Sequence, residues 1–199
     1  MPEGEPHGIL GSVLVGSDRQ LIRRPEEGDR RGLERVFCDP VMMRYLGGAW
    51  TADKVAEALQ EWHDDWGIDN RWYGILIRKD TLQAIGTAGV TENTIPDEPG
   101  LELSWFVLPE HQRQGFATEI THELLRFAFD SWGAERVLAE THPDNLASNG
   151  VLEKLRFERL GERRHTYDYL PGFDAQVLWA LTRAGWCRRT TWASRPAER

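Results

Sequence analysis

The stretch from Leu101 to Ile120 constrains the fold more than any other part of the chain. Leu101–Leu108 reads as an apolar strand that Pro109 stops, and Gln112-Arg113-Gln114-Gly115-Phe116-Ala117 then leads into a helix. That helix, over Ala117–Trp132, carries Ile120, Leu124, Phe127 or Ala128, and Trp132 on one stripe, and Gly133 ends it. A loop of this kind delivers to a helix start N–H groups that have no intrahelical partner, which makes an anion site. Gly115 lets a phosphate approach where a Cβ would collide, Ala117 is small for the same reason, and Arg113 offers a charge-assisted contact. By spacing alone, an ordinary strand-to-helix turn explains the segment equally well. The Lys-Ser/Thr pair of a phosphate loop and the triple glycine of a dinucleotide fingerprint are both missing, which disfavours ATP and NAD.

Elements on either side complete a mixed sheet with helices on its faces. Short strands are expected at Val13–Val15 and Gln20–Arg24. Asp29 is a candidate cap for a helix through Phe37 with Leu33, Val36 and Phe37 buried, and Thr51 for one carrying Val55, Leu59, Trp62 and Trp66. Trp72–Arg78 and Leu82–Thr91 form a hairpin, and Gly86, Ala88 and Gly89 imply that something packs closely on its second strand. Arg136–Thr141 is a strand, Leu146–Leu155 a helix, and Phe157–Tyr167 and Gln176–Thr182 are strands around Pro171-Gly172.

With 199 residues, 40% hydrophobic and 28% charged, the chain suits one domain, assigned to 11–186 between loose tails at 1–10 and 187–199. A net charge of −8 argues against nucleic acid or an anionic membrane as partner and favours cationic substrates. Two distant cysteines, no secretory leader and no run of about 20 apolar residues point to a reducing cytoplasm. The histidines make no two-histidine metal spacing, so no metal is expected.

The order Gln112-x-x-Gly115-x-Ala117, helix, strand, Asn145-Leu-Ala-Ser148, then Leu155-Arg-Phe157 resembles the GCN5-related N-acetyltransferase superfamily. The likeness spans roughly residues 20–186. It is closer to the branch that acetylates N-terminal amines of ribosomal proteins, together with many small-molecule relatives. Asp39–Gly47, Leu101–Val107 and Val177–Leu181 add to it. The resemblance implies an α/β fold with a splayed, mostly antiparallel sheet in which two central strands part like a V. Acetyl-CoA would lie in the gap, its pantetheine along Trp105, Phe106 and Val107, with a bulge in that strand. Gln112 belongs to the motif; the backbone of Arg113, Gln114, Gly115, Phe116, Ala117 and Thr118 would hold the pyrophosphate, and Asn145 would hydrogen-bond the cofactor.

The same resemblance makes Glu102 the candidate base, acting directly or through water, against the plainer reading of a solvent-face strand residue. Ser148 matches the serine that bonds the cofactor sulfur, or else it bonds nearby backbone at a helix entry. Glu119 reads as a helix-dipole partner rather than a base. Leu152 stands where many members carry a tyrosine acid, so that proton donor is absent. Tyr45, Trp50 and Tyr73 fall in the region that contributes acceptor contacts, although core packing accounts for each as well. His142 borders the cleft or is solvated. The implied activity is acetyl transfer to a primary amine, either a protein N-terminus or a small molecule, with a second copy of the chain as a further expected partner. A non-catalytic acyl-CoA-binding module is the alternative.

Overall fold

A computed structural model describes residues 13–68, 71–93, 95, 98–164 and 175–187. The expected tail at 1–10 and the Pro171-Gly172 turn lie outside the described residues. The strands are β1 (Val13–Gly16), β2 (Gln20–Arg23), β3 (Trp72–Arg78), β4 (Gln83–Glu92), β5 (Leu101–Val107), β6 (Arg136–Thr141), β7 (Glu158–Arg163) and β8 (Gln176–Thr182). They form one 8-stranded sheet in the order β1-β2-β3-β4-β5-β6-β8-β7. Neighbours are antiparallel except β5 and β6, which run parallel and pair only at Leu101↔Val137 and Glu102↔Leu138. Beyond Glu102 the two strands part, so the sheet opens at its centre.

Helices cover both faces. On β3, Ile75 and Ile77 join one core cluster and Leu76 the other, as the two-residue period of a strand requires. Ile75 and Ile77 pack with Leu33, Val36 and Phe37 of α1 (Arg30–Phe37) and with Val55 and Leu59 of α2 (Ala52–Asp64). The opposite cluster joins Leu76, Leu103, Val107 and Val137 to Ile120, Leu124 and Leu125 of α3 (Phe116–Arg126) and to Leu152 of α4 (Leu146–Lys154).

Several local expectations change. Thr51 does cap α2, its hydroxyl accepting from the Lys54 amide at 3.2 Å. Asp29 does not cap α1 with its side chain; a bidentate pair with the Arg23 guanidinium, 2.7 Å at each oxygen, and the Glu26 amide claim its carboxylate. Trp66 lies past the end of α2 and packs edge-on against Trp72, ring centroids 5.4 Å apart. The helix expected to run to Trp132 is α-helical only through Arg126 and widens to a π-helical turn over Phe127–Ser131, which turns Ala128 and Phe129 into the core.

The bulge expected in the strand before the loop is absent: the β4–β5 register runs unbroken from Glu92↔Leu101 to Gly86↔Val107. The irregularity sits on the other side of β4, where the β3 ladder shifts between Leu76 and Ile77. Gly86 absorbs it. Its φ is +156° and a Cβ there would lie 1.9 Å from the Phe106 carbonyl oxygen.

Candidate functional site

The opening between β5 and β6 leads into a cleft of about 1280 Å³. Strand register decides which backbone groups face it. Leu108 N–H donates to Ile85 O at 2.8 Å, so Phe106, Ser104 and Glu102, at two-residue steps, turn their backbone groups toward β4. Trp105 and Val107 turn theirs the other way, to an edge with no strand beside it. The Val107 carbonyl is taken by the Gln112 side-chain amide at 2.8 Å, which leaves the Trp105 carbonyl and the N–H groups of Trp105 and Val107 along that edge. Phe106 lends the cleft its ring, packed edge-on against Phe37, rather than its backbone.

The loop beyond β5 forms a backbone cradle. Among the described residues no hydrogen bond involves the amide N–H of Arg113, Gln114, Gly115, Phe116, Ala117 or Thr118; the first helical bond runs from Glu119 N–H to Gly115 O, at 3.0 Å. Arg113 (φ +59°) and Gly115 (φ +86°) are both left-handed, the alternation that gathers successive N–H groups on one concave side. Gly115 is needed for this conformation; an added Cβ would meet only the Arg19 Nη2 atom, at 3.4 Å.

The carbonyls of the same loop are drawn to the opposite side. Arg19 Nη1 donates to Gln114 O at 3.1 Å and the buried Gln20 side-chain amide to Phe116 O at 2.8 Å. A trans peptide sets its C=O and N–H in opposite directions, so these bonds aim the N–H groups of Gly115 and Ala117 away from the β1–β2 turn. Arg19 is in turn gripped by Glu119, which also takes the Ser17 hydroxyl. Burial works to raise the Glu119 pKa, but the Arg19 and Ser17 hydrogen bonds outweigh it and hold the carboxyl below its ordinary value. Glu119 is thus a brace for the cradle. Arg19 and Gln20 carry no local motif, and only the fold brings them under the loop.

At the end of β6 the chain turns into α4 through His142-Pro143-Asp144. Trp179 Nε1 donates to Thr141 Oγ1 at 2.9 Å, Thr141 donates to Asn149 Oδ1 at 2.6 Å, and Asn149 Nδ2 donates to Pro143 O at 2.9 Å. This relay fixes the turn that presents Asn145 and Ser148. Asn145 caps α4, its Oδ1 accepting from Ser148 N–H at 3.2 Å, which leaves its Nδ2 donors for a ligand. Ser148 lines the cleft. Leu152, one turn on, is fully buried in the core.

Glu102 lines the cleft at the point where β5 and β6 diverge, and Glu140, on the facing strand, lines it too. The three aromatic candidates fall in different places. Tyr45 spans the cleft: its hydroxyl donates to Asp144 O at 3.0 Å and its ring stacks on His142 at 4.9 Å. Trp50 stacks on Phe37 at 4.7 Å with the Lys54 ammonium over its ring, forming a side wall. Tyr73 lies against Trp62 from α2, and burial raises its phenol pKa despite hydrogen bonds to Thr87 and Ser104. Among the described residues no group of three or more His, Cys, Asp or Glu side chains could hold a metal ion. Nor is any described helix long and apolar enough to cross a membrane.

An opened sheet with a helix start at the mouth of the gap defines a class of acyl-transfer enzymes, and the comparisons agree. The family described as "Acetyltransferase (GNAT) domain" matches residues 19–158. The "Uncharacterized N-acetyltransferase YoaA" of Bacillus subtilis is 26% identical over 168 residues, covering 82% of this chain and 94% of that protein. Among solved structures, ribosomal-protein-S5-alanine acetyltransferase from Vibrio fischeri superposes with a TM-score of 0.68 at 17% identity, over 87% of this chain and 98% of its own. Spermidine N-acetyltransferase from Vibrio cholerae, in complex with CoA and spermine, does so with 0.68 at 17%, over 86% and 99%. The two structural likenesses speak to the fold. The chain belongs to the GNAT acetyltransferase family, and it is an N-acetyltransferase.

Proposed function

We propose that the protein binds acetyl-CoA with its pyrophosphate on the amides of Arg113–Thr118 and its pantetheine along the free edge at Trp105 and Val107. In the same reading Asn145 and Ser148 border the thioester end. The observation that carries the proposal is the row of unpaired amides at the start of α3, next to a strand edge that has no partner. A diphosphate supplies acceptors for the first and a pantetheine amide chain for the second.

The acetyl group passes directly to a primary amine in a ternary complex. Glu102 takes a proton from the ammonium, the free amine attacks the thioester carbonyl, the new C–N bond forms, and the C–S bond breaks. Glu102 hands the first proton to solvent and takes the second from the nitrogen as the C–S bond breaks, while the leaving thiolate is protonated by water or by Ser148, which regains its proton from water. The acceptor is a protein N-terminus or a small amine. Likeness to the S5-alanine and spermidine enzymes supports one branch each, and the motif Asn145-Leu-Ala-Ser148 supports the N-terminal branch. The site works in the cytoplasm, where acetyl-CoA is available. Thermal shift with acetyl-CoA, followed by thiol release over a panel of peptides and small amines, tests this. Stabilisation by acetyl-CoA with release on at least one amine is expected; no stabilisation refutes it.

A further inference from the structure

Tyr73, Gly89 and Ser104 stand side by side on three adjacent strands, Tyr73 opposite Gly89 across β3 and β4, and Gly89 opposite Ser104 across β4 and β5. Residues directly opposite one another project from the same face of a sheet. Gly89 contributes no side chain there: a Cβ would lie 2.2 Å from the Trp72 carbonyl oxygen and 2.8 Å from Tyr73 Cδ2, so the Tyr73 ring borders the space. The phenol thereby passes over β4 to Thr87 Oγ1 at 2.6 Å, with Ser104 of β5 next in the same row across the sheet. Trp62 holds the ring from the α2 side, centroids 4.5 Å apart.

Thr87 is fully buried, whereas Ser104 lines the cleft, on the face of β5 that carries Glu102 two residues earlier. A phenol has one proton, so it can donate to at most one of these hydroxyls. In either arrangement the Ser104 oxygen keeps a lone pair that Tyr73 does not use. It is an acceptor for an N–H group, beside a phenol that Thr87 holds and next to the candidate base.

We propose that Ser104 binds the acceptor amine through its hydroxyl, and that Tyr73 is a positioning residue that acts on the amine only through Ser104. This rests on the acetyltransferase reading above and assigns a binding contact within it. Ser104 holds the amine N–H while Glu102 takes the proton, and Gly89 leaves room for both the Trp72 carbonyl and the Tyr73 ring. Tyr73 lines the same cleft beside Ser104.

The test is a double-mutant cycle with Ser104→Ala and Tyr73→Phe, using the primary amine that gives the fastest thiol release with the wild type. Ser104→Ala is expected to raise the KM for the amine about tenfold and leave that for acetyl-CoA unchanged. Tyr73→Phe is expected to raise the amine KM about threefold in the wild-type background and not at all in the Ser104→Ala background. An unchanged amine KM in Ser104→Ala, or effects that simply add, overturns the proposal. A fall in melting temperature alone, with kinetics intact, does so as well, because it marks a merely structural network. Amine binding by equilibrium dialysis in the presence of CoA accompanies the kinetics. If the wild type binds an amine but releases no thiol, the transfer reading fails while the Ser104 contact is still judged by binding. If no amine binds, the contact is refuted.

Discussion

The side-chain amide of Gln20 donates to the carbonyl of Phe116, 96 residues further along the chain, at 2.8 Å and out of contact with solvent. With the Arg19 bond to Gln114 O, it is the reason that the loop presents N–H groups and not carbonyls to the cleft. Gln20 touches no ligand in this account, yet it sets the direction of the Ala117 amide. Gln20→Leu, which keeps the volume and removes the donor, is expected to weaken acetyl-CoA binding about tenfold, equivalent to ~1.4 kcal/mol. Isothermal titration calorimetry checks it, and unchanged affinity would detach the cradle from the β1–β2 turn.

Leu152 is buried in the core below α4, not in the cleft. Introducing the tyrosine that many relatives carry there is therefore expected to overpack the core rather than to add an acid. Leu152→Tyr should lose ~1–3 kcal/mol of stability by urea unfolding, with no rise in kcat. A gain in kcat would show that the side chain reaches the thioester.

Glu119 holds Arg19 and Ser17, and its folded pKa is depressed. A carboxylate of this kind adds stability that is fully present above its unfolded pKa, ~4.3 for glutamate, and is lost as the pH falls through the folded value. Wild-type thermal midpoints are expected to drop over that acid range. Glu119→Gln should start lower at neutral pH and show a shallower acid decline. Parallel curves for the two proteins would mean that the ion pair contributes nothing to folding.

Glu102→Gln is expected to lower kcat by ~10²-fold or more and to remove the acidic limb of the kcat/KM profile, with acetyl-CoA affinity unaltered. Steady-state thiol release across pH reads both effects. A retained acidic limb would pass the role of base to another group, with Glu140 on the facing strand the first to examine.

Much of this architecture is legible in the chain, and the parts that are not share a cause. Trp72–Arg78, Arg136–Thr141 and Gln176–Thr182 are strands with the bounds that their apolar runs imply, and Gly115 does open a helix. Hydrophobic period and breaker residues are local signals, and these elements obey them. Asp29 departs because a guanidinium from the preceding strand competes for its carboxylate, and α3 widens past Arg126 because packing, not period, sets its last turn. Gly86, Ala88 and Gly89 give notice of close neighbours, but only the folded sheet identifies them: the Phe106 carbonyl at Gly86, and the Trp72 carbonyl and Tyr73 at Gly89. Arg19 and Gln20 leave no trace in any window of sequence, since their partners lie on the far side of three strands and two helices.

Acetyl-CoA affinity of Gly115→Glu, measured by calorimetry beside its thermal midpoint, bears most directly on the whole account. The substitution forces a side chain onto a residue at φ +86° and sets a negative charge among the unpaired amides. A loss of about a hundredfold or more in affinity, with the protein still folded, is the expected result. Wild-type affinity in a folded Gly115→Glu protein would contradict it and move the diphosphate site elsewhere.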